Sequence, residues 1–181
     1  MLRSRVILKI AQILRSLEGW RRWTAAGILG AIAAVAQPPL LLLPVLIISF
    51  VGFVWLIDGA KSYKSAFGIG WAFFTGYFAA GLYWIMHAFF VDAPSFAWMA
   101  PFAFVGLTAG LGLLGGFMTV TAKIFWSFSG AKIMALAAAW TFFEWFRGIV
   151  FTGFPWNPIG NIWVSFDPVL QGASCIGVYG L

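Results

Sequence analysis

Catalytic and metal-binding side chains are scarce in this sequence. Its 181 residues carry one cysteine, one histidine and five acidic residues. The single Cys175 excludes an internal disulfide and any cysteine-based metal site. The single His87 leaves no second histidine to share a metal, and five acids leave a short menu for acid–base work. Neither a metal nor a cofactor is expected. Charge is scarce as well. Charged residues make up 9% of the chain, against about 25% in ordinary soluble domains. That excludes a water-facing globular enzyme and a disordered chain. Glycines are plentiful, yet no Gly-Lys-Ser/Thr follows any of them, so no phosphate loop is present.

What fills the sequence is apolar. Hydrophobic residues make up 62%, with 20 Phe, 11 Trp and 21 Gly. A domain of this size cannot hide so much apolar surface from water, so part of it must face lipid. The fold class is all-α: a polytopic transmembrane helix bundle. The net charge of +6 does not indicate nucleic-acid binding. Six of the eleven basic residues fall in the first 22 positions, where a basic segment holds the cytoplasmic side against anionic lipid.

Residues 1–22 form a basic N-terminal segment and residues 23–181 the transmembrane domain. Val6, Ile7, Ile10, Ile13, Leu14 and Leu17 recur at helical spacing, with Arg3, Arg5, Lys9, Arg15 and Glu18 between them, as in an amphipathic surface helix. A cleaved signal peptide is the alternative, with Thr24–Val35 as its apolar region and Ala34-Val35-Ala36 as its cleavage site. The length of the basic stretch and the apolar spans that follow at once argue against it. Five complete spans are expected, at about Trp23–Gln37, Leu40–Ile57, Ala66–Val91, Phe96–Phe125 and Ile133–Phe151. A sixth apolar helix starts near Val169, with Asp167 as its N-cap and Pro168 at N1.

Connection charges set the orientation. Lys61 and Lys64, then Lys123 and Lys132, mark the second and fourth connections as basic. The third carries Asp92 and no cation. Alternation of this kind puts the N-terminus in the cytoplasm and the segment after Arg147 outside. Gly106-x-x-x-Gly110 and Gly112-x-x-x-Gly116 read as helix-packing faces, as do Gly68, Gly70, Gly76 and Gly81. His87 reads as a packed or interfacial histidine, Asp58 as a solvated carboxylate near Lys61, and Cys175 as an inert buried thiol.

Glu144 and Arg147 are three apart on one helix and can meet on one face. They form either an ion pair at the membrane edge or a site for a lipid head group or partner domain. After them, Thr152-Gly-Phe-Pro-Trp-Asn-Pro158 cannot stay helical, because Gly153 permits unusual φ and two prolines punctuate it. Phe154 and Trp156 then stand in a loop. They either anchor in the interface or line an acyl-chain entrance.

The arrangement Glu144-x-x-Arg147-Gly148, then Thr152-Gly153-Phe154-Pro155-Trp156, resembles the apolipoprotein N-acyltransferase family of bacterial inner membranes. The stretch from Gly70 to Trp84 is similar to the family's third span, and Gly177–Leu181 to the start of its next helix. The resemblance implies a role in lipoprotein maturation, in which an acyl chain moves from a phospholipid to the α-amino group of an apolipoprotein's N-terminal cysteine. It implies that a periplasmic nitrilase-like domain supplies a Glu-Lys-Cys triad. No such domain falls in these residues, and Cys175 does not match the nucleophile. No catalytic residue is therefore carried over, and the chain alone is expected to be inactive. Glu144, Arg147, Thr152, Gly153, Phe154, Pro155 and Trp156 remain as lipid-facing or domain-docking candidates. A nitrilase-like domain made as a separate chain is a further partner to consider. The rival reading is a small membrane subunit or transporter unrelated to acyl transfer. Such proteins place polar groups at mid-membrane, whereas the charges here sit near span ends.

Overall fold

Backbone N–H and C=O groups placed away from water can pair only with one another, so long apolar runs resolve into helices. The computed structural model is all-helical, with no strand among the described residues. It describes residues 2–126 and 130–181, with the side chains of residues 2–4 and of Phe151 outside the description. The expected polar-face placement of Arg3 and the side chain of Phe151 fall outside it, as does the middle of the connection between Lys123 and Lys132.

The helices are α1 (Leu2–Ser16), α2 (Gly19–Ala34), α3 (Val45–Asp58), α4 (Tyr63–Gly81), α5 (Ala93–Phe96), α6 (Ala100–Ile124), α7 (Lys132–Ile149), α8 (Asp167–Leu170) and α9 (Ala173–Ile176). The amphipathic α1 leaves Val6, Ile7, Ile10 and Ile13 exposed. Leu17 and extended Glu18 separate it from α2, which opens on positive-φ Gly19. The hydroxyl of Ser62 caps α4 by accepting from the Ser65 N–H.

Several expected boundaries move. The span expected over Ala66–Val91 breaks at Leu82. There α4 ends and a 3-10 segment, Tyr83–Phe90, leaves at a bend of 52°. Gly81 is a poor helix continuer, and the fully buried Leu82 turns the chain into the core. The start of a sixth helix expected from Val169 is not one continuous helix over 169–181. Gly172 and the positive-φ Gly177 divide that stretch into α8, α9 and a final 3-10 turn. Asp167 is the first residue of α8 rather than its cap, and its side chain makes no capping bond. Cys175 is exposed rather than buried.

Among the described residues, one continuous helical stretch, Ala93–Ile124, is long and apolar enough to cross a membrane. A second qualifies if the bent pair Tyr63–Gly81 and Tyr83–Phe90 counts as one span. With 16 and 14 residues, α2 and α3 rise only about 24 and 21 Å, short of a hydrocarbon core about 30 Å thick.

Helix α4 is the axis of the bundle. Gly27 and Gly30 of α2 lie against the backbones of Ala72 and Phe73, and a methyl group at Gly30 would overlap the Phe73 carbonyl. On the other side, Gly70 packs against Gly115 and Thr119 of α6, and Gly112 against Trp71 and Thr75. These small residues let backbones touch and gain dispersion contacts. Gly106 and Gly110 do not share this role. No atom of the described residues lies within 4 Å of where their side chains would be, because they face away from α4. Phe53, Phe73 and Tyr77 are fully buried, and Trp140 of α7 packs against Phe50, Phe73 and Phe74.

The contacts also fix direction. Trp23 meets Gly68 and Gly30 meets Phe73, so α2 and α4 run parallel. Gly116 meets Phe67 and Gly112 meets Thr75, so α6 runs antiparallel to them. At one end Lys132 of α7 reaches Asp58, and at the other Arg147 lies over the Phe78 ring. Asp58, expected to be solvated near Lys61, is instead largely enclosed. It accepts from Arg15 (3.0 Å), Lys132 (2.7 Å) and the Trp126 indole (2.8 Å). Lys61 pairs with Glu18 at 2.6 Å and holds that exposed carboxyl below the usual carboxylate range. Arg15, Arg22, Lys61, Lys123 and Lys132 thus gather at one end of the bundle, and Arg147 stands at the other.

A loop held by two buried charges as the candidate functional site

The last turn of α7 carries Glu144 and Arg147, and both side chains are buried although each is an ionisable group. Such burial is costly unless every charged atom finds a partner. They make no ion pair with one another within 4.0 Å among the described residues, contrary to one reading of their spacing. Each instead holds the loop that follows. Arg147 Nη1 donates to the carbonyl of Phe154 and, at 2.6 Å, to that of Trp156. The Glu144 carboxylate accepts from the Ile159 N–H at 2.9 and 3.2 Å. Charge-assisted bonds of this kind are short and strong.

The motif glycines make room for this arrangement. Gly148 lies beneath the Tyr179 hydroxyl, and Gly153 adopts φ +86 with its α-carbon close to the Gly148 carbonyl. A side chain at Gly153 would be strained in conformation and would overlap that carbonyl. The Phe154 N–H donates to the Arg147 carbonyl at 2.9 Å, closing the turn.

The far side of the loop rests on α4 and on the turn that follows α2. Buried Gln37 donates through Nε2 to the Tyr77 hydroxyl (2.6 Å) and to the Pro158 carbonyl (3.1 Å). The Tyr77 hydroxyl donates to the Asn157 carbonyl at 3.1 Å. Sequence reasoning missed both Gln37 and Tyr77. In the sequence Gln37 stands only as the expected end of the first span. A polar side chain at the end of an apolar run was the available signal.

The candidate residues therefore divide. Thr152, Pro155 and Trp156 are exposed, and the Trp156 ring lies 4.9 Å from that of Trp84. Phe154 is half-buried and packs on the core. Gly153, Glu144 and Arg147 build the support. His87 is exposed beside Tyr83 and does not join the site.

Below the loop, a crevice of about 20 Å³ lies between α4, α6 and α7, lined by Phe74, Phe78, Met118, Trp140, Glu144 and Arg147. That is the scale of one or two water molecules. Arg147 Nη2 and Trp140 Nε1 are buried there without a hydrogen-bond partner among the described residues. No group of three or more His, Cys, Asp or Glu side chains able to hold a metal occurs among the described residues.

This loop, with its glutamate, arginine and paired glycines, lies within residues 29–181, which match the family model described as the apolipoprotein N-acyltransferase N-terminal domain. The chain belongs to the apolipoprotein N-acyltransferase family. It is 39% identical to the apolipoprotein N-acyltransferase of Allorhizobium ampelinum, over 96% of this chain and 34% of that one. To the Brucella suis enzyme of the same name it is 40% identical, over 97% of this chain and 35% of the relative. The Rhodopseudomonas palustris acyltransferase is 40% identical over 100% of this chain and 35% of its own length. The chain thus spans about a third of the length of the acyltransferases it matches.

Proposed function

We propose that these residues form the membrane-embedded part of an apolipoprotein N-acyltransferase in a bacterial inner membrane, and that the loop at 152–158 is where lipid substrate or catalytic domain meets the bundle. The observation that carries this reading is the loop itself. Two buried charges and a glutamine fix its backbone, while Pro155 and Trp156 are left exposed on top. A structure that uses buried charges to hold an exposed proline and tryptophan in place is preorganised for contact.

The bundle crosses the membrane several times in this reading. Helices α2, α3 and α7 span together with the turns that extend them, and the end bearing Arg15, Lys61, Lys123 and Lys132 faces the cytoplasm. Gathering of cations at one end supports that orientation. The loop then lies on the outer face. There a phospholipid donor and an apolipoprotein acceptor would meet a nitrilase-like domain, which carries the chemistry through a thioester on its own cysteine. The bundle supplies seating and lipid access, with no catalytic side chain.

The test is complementation of a strain depleted of its acyltransferase. The chain joined to the remaining two thirds of a relative should restore growth, and Trp156→Ala in that fusion should reduce it. These 181 residues alone should not restore growth. Growth from them alone would overturn the assignment of catalysis to another domain.

A further inference from the structure

A second polar site stands at the opposite end of the bundle from the loop. A bowl of about 540 Å³ opens there between the α3–α4 connection and the end of α6, lined by Ala60, Lys61, Ser62, Tyr63, Lys123 and Trp126. This volume suits a small organic ligand and is much larger than a bare ion needs. Two ammonium groups flank it. Lys123 gives one hydrogen to the Ile57 carbonyl at 2.9 Å and keeps two more donors. Among the described residues Lys61 is bound only to Glu18, in a pair exposed on both sides, and exposed pairs are weak enough to exchange. The carboxylate nearest the buried side of the bowl, Asp58, is already committed to Arg15, Lys132 and Trp126. Its single negative charge is therefore shared among Arg15, Lys132 and Lys123, and it makes no ion pair with Lys61 among the described residues. The exposed Tyr63 ring and the buried Trp126 ring supply the amphipathic wall usual where head groups meet apolar surface.

We infer that this bowl binds a phosphate group between Lys61 and Lys123, as borne by the head group of an anionic phospholipid or by free phosphate. Basic pockets between helices on the cytoplasmic side recognise head groups in this way. The site is independent of the proposed acyl transfer, since none of its residues touches the loop. It would anchor the bundle against anionic lipid rather than supply a donor.

Native mass spectrometry of the detergent-purified chain tests this, with short-chain phosphatidylglycerol, phosphatidylcholine and inorganic phosphate titrated separately. Phosphatidylglycerol should bind more tightly than phosphatidylcholine. Lys61→Gln with Lys123→Gln should weaken it about tenfold or more, the scale of one lost charge contact. Lys64→Gln, outside the lining, should leave binding unchanged. Equal binding of inorganic phosphate would support the phosphate site and assign it to the free ion. Phosphatidylglycerol binding that is stronger by tenfold assigns it to lipid. Lys61→Glu, at an exposed position, gives the same reading should the double variant fail to fold. Unchanged phosphatidylglycerol and phosphate binding in Lys61→Glu would overturn the inference.

Discussion

Replacing Arg147 tests whether the loop is held as described. Its side chain is 3% exposed, and one guanidinium nitrogen serves the carbonyls of both Phe154 and Trp156. A hydrogen bond from a charged donor contributes about 1.5–3 kcal/mol, so losing both costs about 3–6 kcal/mol in Arg147→Ala. That variant also leaves Glu144 buried without a compensating charge, which pushes the cost toward the upper value. Arg147→Lys keeps the charge and enough donors for both carbonyls, but its shorter reach and lack of a planar fork weaken both bonds. About half the loss, roughly 1.5–3 kcal/mol, should remain. The assay is unfolding of purified protein by SDS titration in mixed micelles, with native-state chymotrypsin cleavage after Trp156 as a local readout. Cleavage should accelerate in both variants, since the loop then opens without global unfolding. Should Arg147→Ala unfold within about 0.5 kcal/mol of the parent, with cleavage unchanged, the guanidinium would not be what holds the loop.

Glycine substitutions should split by the face they occupy. Gly70→Ala, which drives a methyl group into the Gly115 carbonyl and Thr119, should cost about 1–3 kcal/mol in SDS unfolding. Gly106→Ala and Gly110→Ala meet open space and should be neutral, or stabilising by up to about 1 kcal/mol. Trp140→Phe should be tolerated within about 1 kcal/mol, because the ring packing is largely retained and the lost N–H has no hydrogen-bond partner among the described residues. Trp140→Ala should cost about 3–5 kcal/mol in the same unfolding assay. Cys175 is exposed, so a water-soluble maleimide should label it in the folded chain as fast as in SDS. Labelling only after unfolding would put it in the interior.

Which features were legible depended on whether their physics is local. A long apolar run cannot avoid being helical, so the axes of α2, α3, α4, α6 and α7 could be read from the sequence. The points where they stop depend on tertiary contacts. The break at Leu82 follows from that residue's burial in the core, a contact no local pattern encodes. The glycine pairs of α6 make the same point. Gly106 and Gly110 have the same spacing as Gly112 and Gly116, but six residues carry the chain about 240° around the helix. In a helix apolar on every side, the sequence does not say which of those faces meets a neighbour. Only the second pair meets α4.

Glu144 and Arg147 show why the site was half legible. Their spacing placed both on one face and marked them as costly. It could not name their partners, because those partners are backbone groups of Phe154, Trp156 and Ile159. A peptide carbonyl or N–H is present at nearly every residue and leaves no mark on side-chain identity. What the sequence does record is the geometry those groups require. A glycine stands at 153, where φ is +86 and the Gly148 carbonyl crowds in, and another at 148, where Tyr179 does. A motif of two charges and two glycines is therefore the side-chain trace of one backbone shape. The exposed Trp156 depends on that shape for its position. This is why substitutions at Arg147 or Gly153, which lie beneath the exposed surface, should alter it as strongly as substitution of Trp156 itself.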